Sequence, residues 1–160
     1  MFNIRQIRKN DNLNLSKVIR EVLIEIEVPK EGTAYSDPEL NFMFEAYDNK
    51  RSIYYVVENK GKIYGGAGIS HLNEADYNIC ELQKMYFLPS IRGKGIGDMM
   101  IEKCLSFALY SKFKYCYIET LPYMKAAQKL YLKKGFSYID GPIGNTGHTS
   151  CNVWLIKKLK

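Results

Sequence analysis

The sequence predicts one α/β domain over residues 1–160, of the α+β kind, with a mixed, mostly antiparallel twisted sheet of about seven strands and about four helices. Three observations support this prediction. The chain has the length of one domain. Its composition, 46% hydrophobic and 25% charged, is that of a globular protein. Segments with strand periodicity and with helix periodicity also alternate along the chain.

The first half of the chain predicts a strand, two helices and an antiparallel meander. Residues 2–8 alternate between apolar and polar in the manner of a strand, and residues 12–27 repeat their apolar positions at helical spacing. Two β-rich segments then flank Asn59-Lys60-Gly61, which is typical of a hairpin turn. The predicted segments are strand 2–8, helix 12–27, helix 37–47 and strands 52–58, 62–70 and 77–88.

The second half predicts one parallel βαβ crossover followed by a closing hairpin. Its strongest helix covers residues 95–110, with apolar residues on one face and Asp98, Glu102 and Ser106 on the other. Gly135 is suited to end the later helix. The predicted segments are helix 95–110, strand 114–119, helix 123–134 and strands 136–139 and 151–156. The parallel pair is 77–88 with 114–119, because a helix connects them.

Charge is distributed unevenly between the two halves. Residues 1–80 carry 10 Lys and Arg against 12 Asp and Glu, whereas residues 81–160 carry 13 against 5, which gives net charges of −2 and +8. A lysine-rich solvated face explains this excess as well as an anionic ligand does. Nucleic-acid binding has no support beyond the overall positive charge.

Other functional classes find little support in the sequence. No segment has the length and apolarity of a membrane span, and no signal peptide is recognised at the start. The two histidines, His71 and His148, lack metal-ligand spacing, so no metal site is expected. The spacing of the four cysteines fits neither a zinc site nor a disulfide framework, and we expect reduced thiols in a cytoplasmic protein.

The candidate binding element is the glycine-rich turn Arg92-Gly93-Lys94-Gly95-Ile96-Gly97, between a strand and the start of the strongest helix. Unpaired N–H groups and the positive end of the helix dipole favour anions there, and glycines let a phosphate approach the backbone. The turn matches no P-loop. A dinucleotide fingerprint fits poorly, since Asp98 and Met100 stand where its third glycine belongs, although Glu119 lies near the place of a ribose-binding acid.

Two motifs resemble the GNAT superfamily of N-acetyltransferases. Arg92-x-x-Gly95-x-Gly97 is similar to its acyl-CoA-binding motif, and Leu130-Tyr131-Leu132-Lys133-Lys134-Gly135-Phe136 resembles its second signature. The predicted order of elements also resembles that fold over nearly the whole chain. The resemblance implies acetyl-CoA as cosubstrate and a primary amine of a small molecule or peptide as acceptor. Dimers are common in this superfamily, so a homodimer is compatible with it.

The resemblance also implies where the cofactor binds. The central parallel strands should part, so that the pantetheine arm adds to the free edge of the first strand and a backbone N–H of that edge polarises the acetyl carbonyl. One departure is Met124, which stands where many members have a cofactor-binding asparagine. The implied cofactor-binding residues are Met85, Tyr86, Phe87, Arg92, Gly93, Lys94, Gly95, Ile96, Gly97, Ala127 and Tyr131.

Two residues are the catalytic candidates that the resemblance implies. Glu81 precedes the pantetheine-binding stretch and is the candidate general base, with a positioning role as its alternative. Tyr131 matches the signature tyrosine and is the candidate acid for the leaving thiolate, with core packing as its alternative. Acceptor specificity is expected from the segments 28–47 and 140–150. Two alternative functions remain: an acyl-CoA-binding sensor without turnover, and a dinucleotide-binding protein.

Overall fold

A computed structural model describes all residues, 1–160. Seven strands form one sheet in the order β1-β2-β3-β4-β5-β7-β6. The strands are β1 (Asn3–Gln6), β2 (Ile53–Asn59), β3 (Lys62–His71), β4 (Ile79–Phe87), β5 (Tyr115–Thr120), β6 (Ser137–Ile139) and β7 (Val153–Lys158). The helices are α1 (Asn12–Glu25), α2 (Met43–Ala46), α3 (Ile96–Tyr110) and α4 (Lys125–Lys133). The predicted fold class is confirmed.

The prediction of the second helix was only partly right. Residues 37–47 form a 3₁₀ turn, Pro38–Asn41, and then the single α-helical turn α2. Phe42 separates them, because its φ of −134° lies outside the helical region. The segment is therefore a folded loop, and it packs beside α1.

The core lies on both faces of the sheet. Leu15, Ile19 and Leu23 of α1 pack with the 34–47 segment on one face. On the other face, Met100, Ile101 and Cys104 of α3 pack with Tyr131 of α4. None of the helices combines the length and apolar composition that crossing a membrane requires.

The central parallel strands part, as the sequence predicts. β4 pairs with β5 only from Ile79–Tyr115 to Glu81–Tyr117. β4 then continues to Phe87 along β3, and β5 continues along β7. Glu81 is thus the last residue of β4 that pairs with β5, and the gap between the strands opens directly after it.

Candidate active site

A large cavity of about 780 Å³ lies beside the end of β4. This cofactor-sized cavity is within the usual range for ligand sites, roughly 300–1,000 Å³. The end of β4, the glycine-rich turn, the start of α4 and one side of α1 form its walls. Of the residues implied for cofactor binding, those that line it are Met85, Tyr86, Phe87, Arg92, Gly93, Gly95, Gly97 and Ala127.

The glycine-rich turn leaves backbone N–H groups open at the start of α3. Gly93 and Gly95 have φ of 72° and 79°, in the left-handed region that favours glycine. Gly95 is the N-cap of α3, and no side chain caps the first N–H groups. These groups have no partner within the helix. The first turn of α3 therefore offers unpaired donors beside the cavity.

The two cations of the turn have specific neighbours. Nε of Arg92 donates to the carbonyl of Phe87 at 2.9 Å, and its Nη1 pairs with Glu25 of α1 at 2.8 Å. Nζ of Lys94 lies 5.8 Å from the centre of the Phe2 ring. Arg92 thus joins α1 to the turn, and neither Lys94 nor Ile96, which is buried in the core, lines the cavity.

Further residues of α1 and α4, and Met124 before α4, complete the wall. Lys125 of α4 lines the cavity, together with Val22 and Ile26 near the end of α1. Met124, in the place of the usual asparagine, also lines it, and its Sδ accepts a hydrogen bond from Thr120 at 3.7 Å. Lys133 contributes a charge, although its Nζ pairs with Asp98 at 2.7 Å.

Two smaller cavities continue from the cofactor-sized one across the gap between β4 and β5. The middle cavity, of about 40 Å³, contains Tyr131, and the polar cavity, of about 230 Å³, contains Glu81. Tyr86 lines all three. The gap in the sheet thus brings Glu81 and Tyr131 to adjoining spaces beside the end of β4.

Burial controls the protonation of both catalytic candidates. Glu81 is 6% exposed, and this burial raises its pKa to about 7, although a hydrogen bond from Gln83 at 2.6 Å opposes the shift. Tyr131 is also 6% exposed, and burial raises the pKa of its phenol. Near neutral pH the carboxyl can therefore gain or lose a proton, whereas the phenol holds its proton.

A β-bulge aims Lys84 into the polar cavity. Gly66 and Gly68 of β3 pair with Tyr86 and Gln83 of β4, so one residue of β3 lies opposite two of β4. Lys84 in this bulge has φ of 48°, which is uncommon for a residue other than glycine. Its side chain is 4% exposed, and Nζ lies 3.0 Å from carboxylate oxygens of both Asp37 and Glu39.

The segments expected to set acceptor specificity do meet at the polar cavity. Asp37 and Glu39 come from the first segment, and Asn145, Thr146 and His148 come from the second. His148 has no metal-ligand spacing in the sequence, but in the fold its Nε2 lies 2.8 Å from Oδ1 of Asp37.

Glu119 does not lie at the glycine-rich turn, where the dinucleotide alternative would need it. It lines the middle and polar cavities, where it accepts hydrogen bonds from Tyr117, at 2.7 Å, and Thr146. The sheet also has a single parallel strand pair, in contrast to the several parallel units of a dinucleotide-binding fold. No three His, Cys, Asp or Glu side chains form a group that could hold a metal ion.

Comparisons with known proteins identify the family. Residues 20–136 match the model of the acetyltransferase (GNAT) family. The chain is 39% identical over 157 residues to YjgM of Escherichia coli K12, which is described as an uncharacterized N-acetyltransferase. The match covers 98% of this chain and 94% of YjgM. This chain therefore belongs to the GNAT acetyltransferase family.

Solved structures agree with the fold. A GNAT-family acetyltransferase of Staphylococcus aureus Mu50 superposes with a TM-score of 0.88 at 22% identity, over 100% of both chains. The PaiA N-acetyltransferase of Thermoplasma acidophilum, solved in complex with coenzyme A, superposes with a TM-score of 0.77 at 18% identity, over 99% of both chains. At these identities the two structures support the shared fold.

Proposed function

We propose that this protein transfers the acetyl group of acetyl-CoA to a primary amine of a small molecule or peptide by direct attack of the amine. The observation that carries the proposal is the gap between β4 and β5. A cofactor-sized cavity with open N–H donors at its edge lies on one side of it, and a polar cavity with a buried carboxyl group lies on the other, with Tyr86 in the wall of both.

The residues around the large cavity fit coenzyme A. Open donors at the start of α3 suit a pyrophosphate, since Gly93 and Gly95 have free space where a side chain would begin. Lys125 adds positive charge at the same cavity, whereas Lys133 there pairs with Asp98. The free edge of β4 at Met85–Phe87 suits the amides of a pantetheine arm. PaiA, which shares this fold, was solved in complex with coenzyme A, and this supports coenzyme A as the ligand.

Backbone donors of β4 are proposed to activate the acetyl carbonyl. Beyond Glu81 this strand has no partner on the β5 side, so its edge faces the gap. The N–H of Met85 or of Phe87 is the candidate donor to the carbonyl oxygen. One such donor contributes about 2.7–4 kcal/mol in other acyl-transfer enzymes. When bound, the cofactor supplies an activated acyl group as a thioester.

Glu81 and Tyr131 are proposed to move the protons. The C–N bond forms as the C–S bond breaks, and the acceptor ammonium loses two protons in total. Glu81 accepts one and later releases it to solvent, as its pKa of about 7 permits. The phenol of Tyr131 gives one proton to the leaving thiolate, and the second proton lost by the amine returns to the Tyr131 phenolate, so one proton in total is released to solvent.

Thiol release from acetyl-CoA, measured over a panel of primary amines, tests this proposal. We expect release that depends on the amine, and coenzyme A but not NAD should raise the Tm. If coenzyme A raises the Tm but no amine causes thiol release from acetyl-CoA, the result contradicts transfer and favours a sensor. Protection by NAD would favour the dinucleotide alternative.

A further inference from the structure

The polar cavity contains a built anionic site beside the proposed point of reaction. Glu81 is 6% exposed, and its Oε1 accepts the amide of Gln83 at 2.6 Å. Its second oxygen, Oε2, accepts no hydrogen bond from the protein, although the residue lines the cavity. Oε2 is thus an acceptor on a nine-tenths buried side chain that is open to the cavity and available to a ligand.

The cations of this cavity are already neutralised. Nζ of Lys84 lies between Asp37 and Glu39, at 3.0 Å from each. Nε2 of His148 lies 2.8 Å from Asp37. Both positive side chains therefore face carboxylates of the wall, and neither is free for an anionic group of a ligand.

The two remaining acids have only neutral partners. Glu81 accepts from the amide of Gln83, and Glu119 accepts from the hydroxyls of Tyr117 and Thr146. The wall as a whole holds four carboxyl groups against Lys84 and His148. The cavity accordingly has an excess of negative charge, divided between a site at Glu81 and a site at Glu119.

The size and spacing of the two sites restrict the ligand. The cavity, of about 230 Å³, is smaller than the roughly 300 Å³ at which sites for drug-sized ligands begin. Glu81 pairs with Tyr117 of β5, and Glu119 lies two residues further along that strand. In sheet geometry this puts the two Cα atoms about 8 Å apart or more, since rise and strand spacing are about 3.3 Å and 4.8 Å. A short linear molecule can span them.

On the basis of the proposed function, we propose that the acceptor is a small aliphatic diamine that carries no carboxylate. The reacting amine contacts Oε2 of Glu81, and the second ammonium contacts Glu119. A carboxylate on the acceptor would meet two acids and find no unpaired cation. Amino acids are therefore disfavoured as acceptors in comparison with their decarboxylated counterparts.

Three amines of matched chain length test this inference. Cadaverine has both amines, pentylamine lacks the second amine, and lysine adds a carboxylate. We expect kcat/KM to fall at least about tenfold from cadaverine to pentylamine, as for loss of one charge-assisted hydrogen bond. Lysine should be weaker than cadaverine by at least about the same factor. Calorimetric binding of each amine without cofactor should follow the same order.

A variant of Glu119 tests whether this residue binds the second ammonium of the acceptor. Glu119→Gln removes the charge and keeps one carbonyl oxygen, which can accept from Tyr117 or from Thr146. The cadaverine-to-pentylamine ratio should therefore fall toward unity in both kcat/KM and binding. The control is Glu21→Gln, on the exposed side of α1 and away from the three cavities, which should keep the full ratio. Circular dichroism checks that both variants fold.

The outcomes separate this inference from the proposed function. Thiol release with pentylamine or lysine at least as fast as with cadaverine overturns the diamine inference and leaves acetyl transfer in place. An unchanged ratio in Glu119→Gln also overturns the assignment of Glu119. Absence of thiol release with every amine overturns the proposed function, and the diamine acceptor with it.

Discussion

Nε2 of His148 lies 2.8 Å from Oδ1 of Asp37, which is 111 residues earlier in the chain. The same carboxylate contacts Nζ of Lys84 at 3.0 Å. Asp37 therefore connects the loop that carries His148 to the bulge of β4.

We expect the contact between His148 and Asp37 to stabilise the protein most at acidic pH. Burial lowers the pKa of His148, but the hydrogen bond and the charge of Asp37 outweigh it, so the pKa is raised. The contact therefore stabilises the protein fully below the pKa of histidine in the unfolded chain, about 6.5. This stabilisation is lost as the pH rises through the higher pKa that His148 has in the folded protein. His148→Gln should lower the free energy of unfolding more at about pH 5.5 than at about pH 8.5.

Urea denaturation at the two pH values measures this difference. Asp37 stays ionised at the lower one, because His148 and Lys84 outweigh the effect of burial and lower its pKa. His71→Gln is the control, since the His71 ring contacts the backbone carbonyl of Asp76 at 3.1 Å and no carboxylate. Equal losses for His148→Gln at both pH values would contradict the prediction.

Tyr131→Phe should lower kcat without weakening cofactor binding. The phenol is proposed to protonate the leaving thiolate, and general acid catalysis contributes about 10²–10⁴-fold. Phenylalanine keeps the packing against Phe136, whose ring centre lies 6.1 Å away. We expect kcat to fall about 10²-fold or more, with an unchanged Kd for coenzyme A by calorimetry. If kcat is unchanged, Tyr131 packs in the core and has no part in proton transfer.

Local patterns in the sequence were sufficient for α3 and its glycine-rich turn. The apolar spacing of residues 95–110 and the positive φ that glycine allows at Gly95 are properties of neighbouring residues. The parting of β4 and β5 came from the family resemblance, and the pairing that ends at Glu81 confirms it.

Long-range contacts could not be predicted in the same way. Arg92 belongs to the acyl-CoA motif, yet its guanidinium pairs with Glu25, 67 residues earlier. His148 meets Asp37 because β7 lies between β5 and β6, which brings the preceding loop over β4. Pairings of this kind depend on the order of strands in the sheet, and no local periodicity encodes that order.

Gly95→Asp should abolish binding of coenzyme A. The new carboxylate would lie at the open N–H groups of α3, where it would occupy the anion site and repel a pyrophosphate. Gly61→Asp is a matched control in the β2–β3 hairpin. Gly61 has φ of 80° and Gly95 has φ of 79°, and both positions have free space for a Cβ. Both variants therefore carry similar backbone strain.

Calorimetry with coenzyme A distinguishes the two variants. The Gly61 variant should bind like the unaltered protein and lose about 1 kcal/mol of stability or somewhat more, seen as a lower Tm. Gly95→Asp should lose no more stability than that, because its carboxylate also caps the start of α3. Retained affinity in Gly95→Asp would remove the turn from the phosphate site. Equal loss of affinity in both variants would attribute the effect to strain.

Glu81→Gln should lower activity and raise stability at the same time. Burial holds the pKa of Glu81 at about 7, above its ordinary value of 4.5. As base Glu81 must be ionised, so kcat/KM should rise with pH through about 7. The variant should lose this pH dependence and about 10²-fold of rate or more.

The stability of the native protein should change with pH in the opposite direction. Between pH 4.5 and 7 the unfolded state releases the proton and the folded state keeps it, so rising pH destabilises the native protein by roughly 3 kcal/mol in total. The neutral amide avoids this cost, and urea denaturation should show its advantage growing across that interval. A constant difference would mean that Glu81 is ionised throughout and acts as a positioning residue.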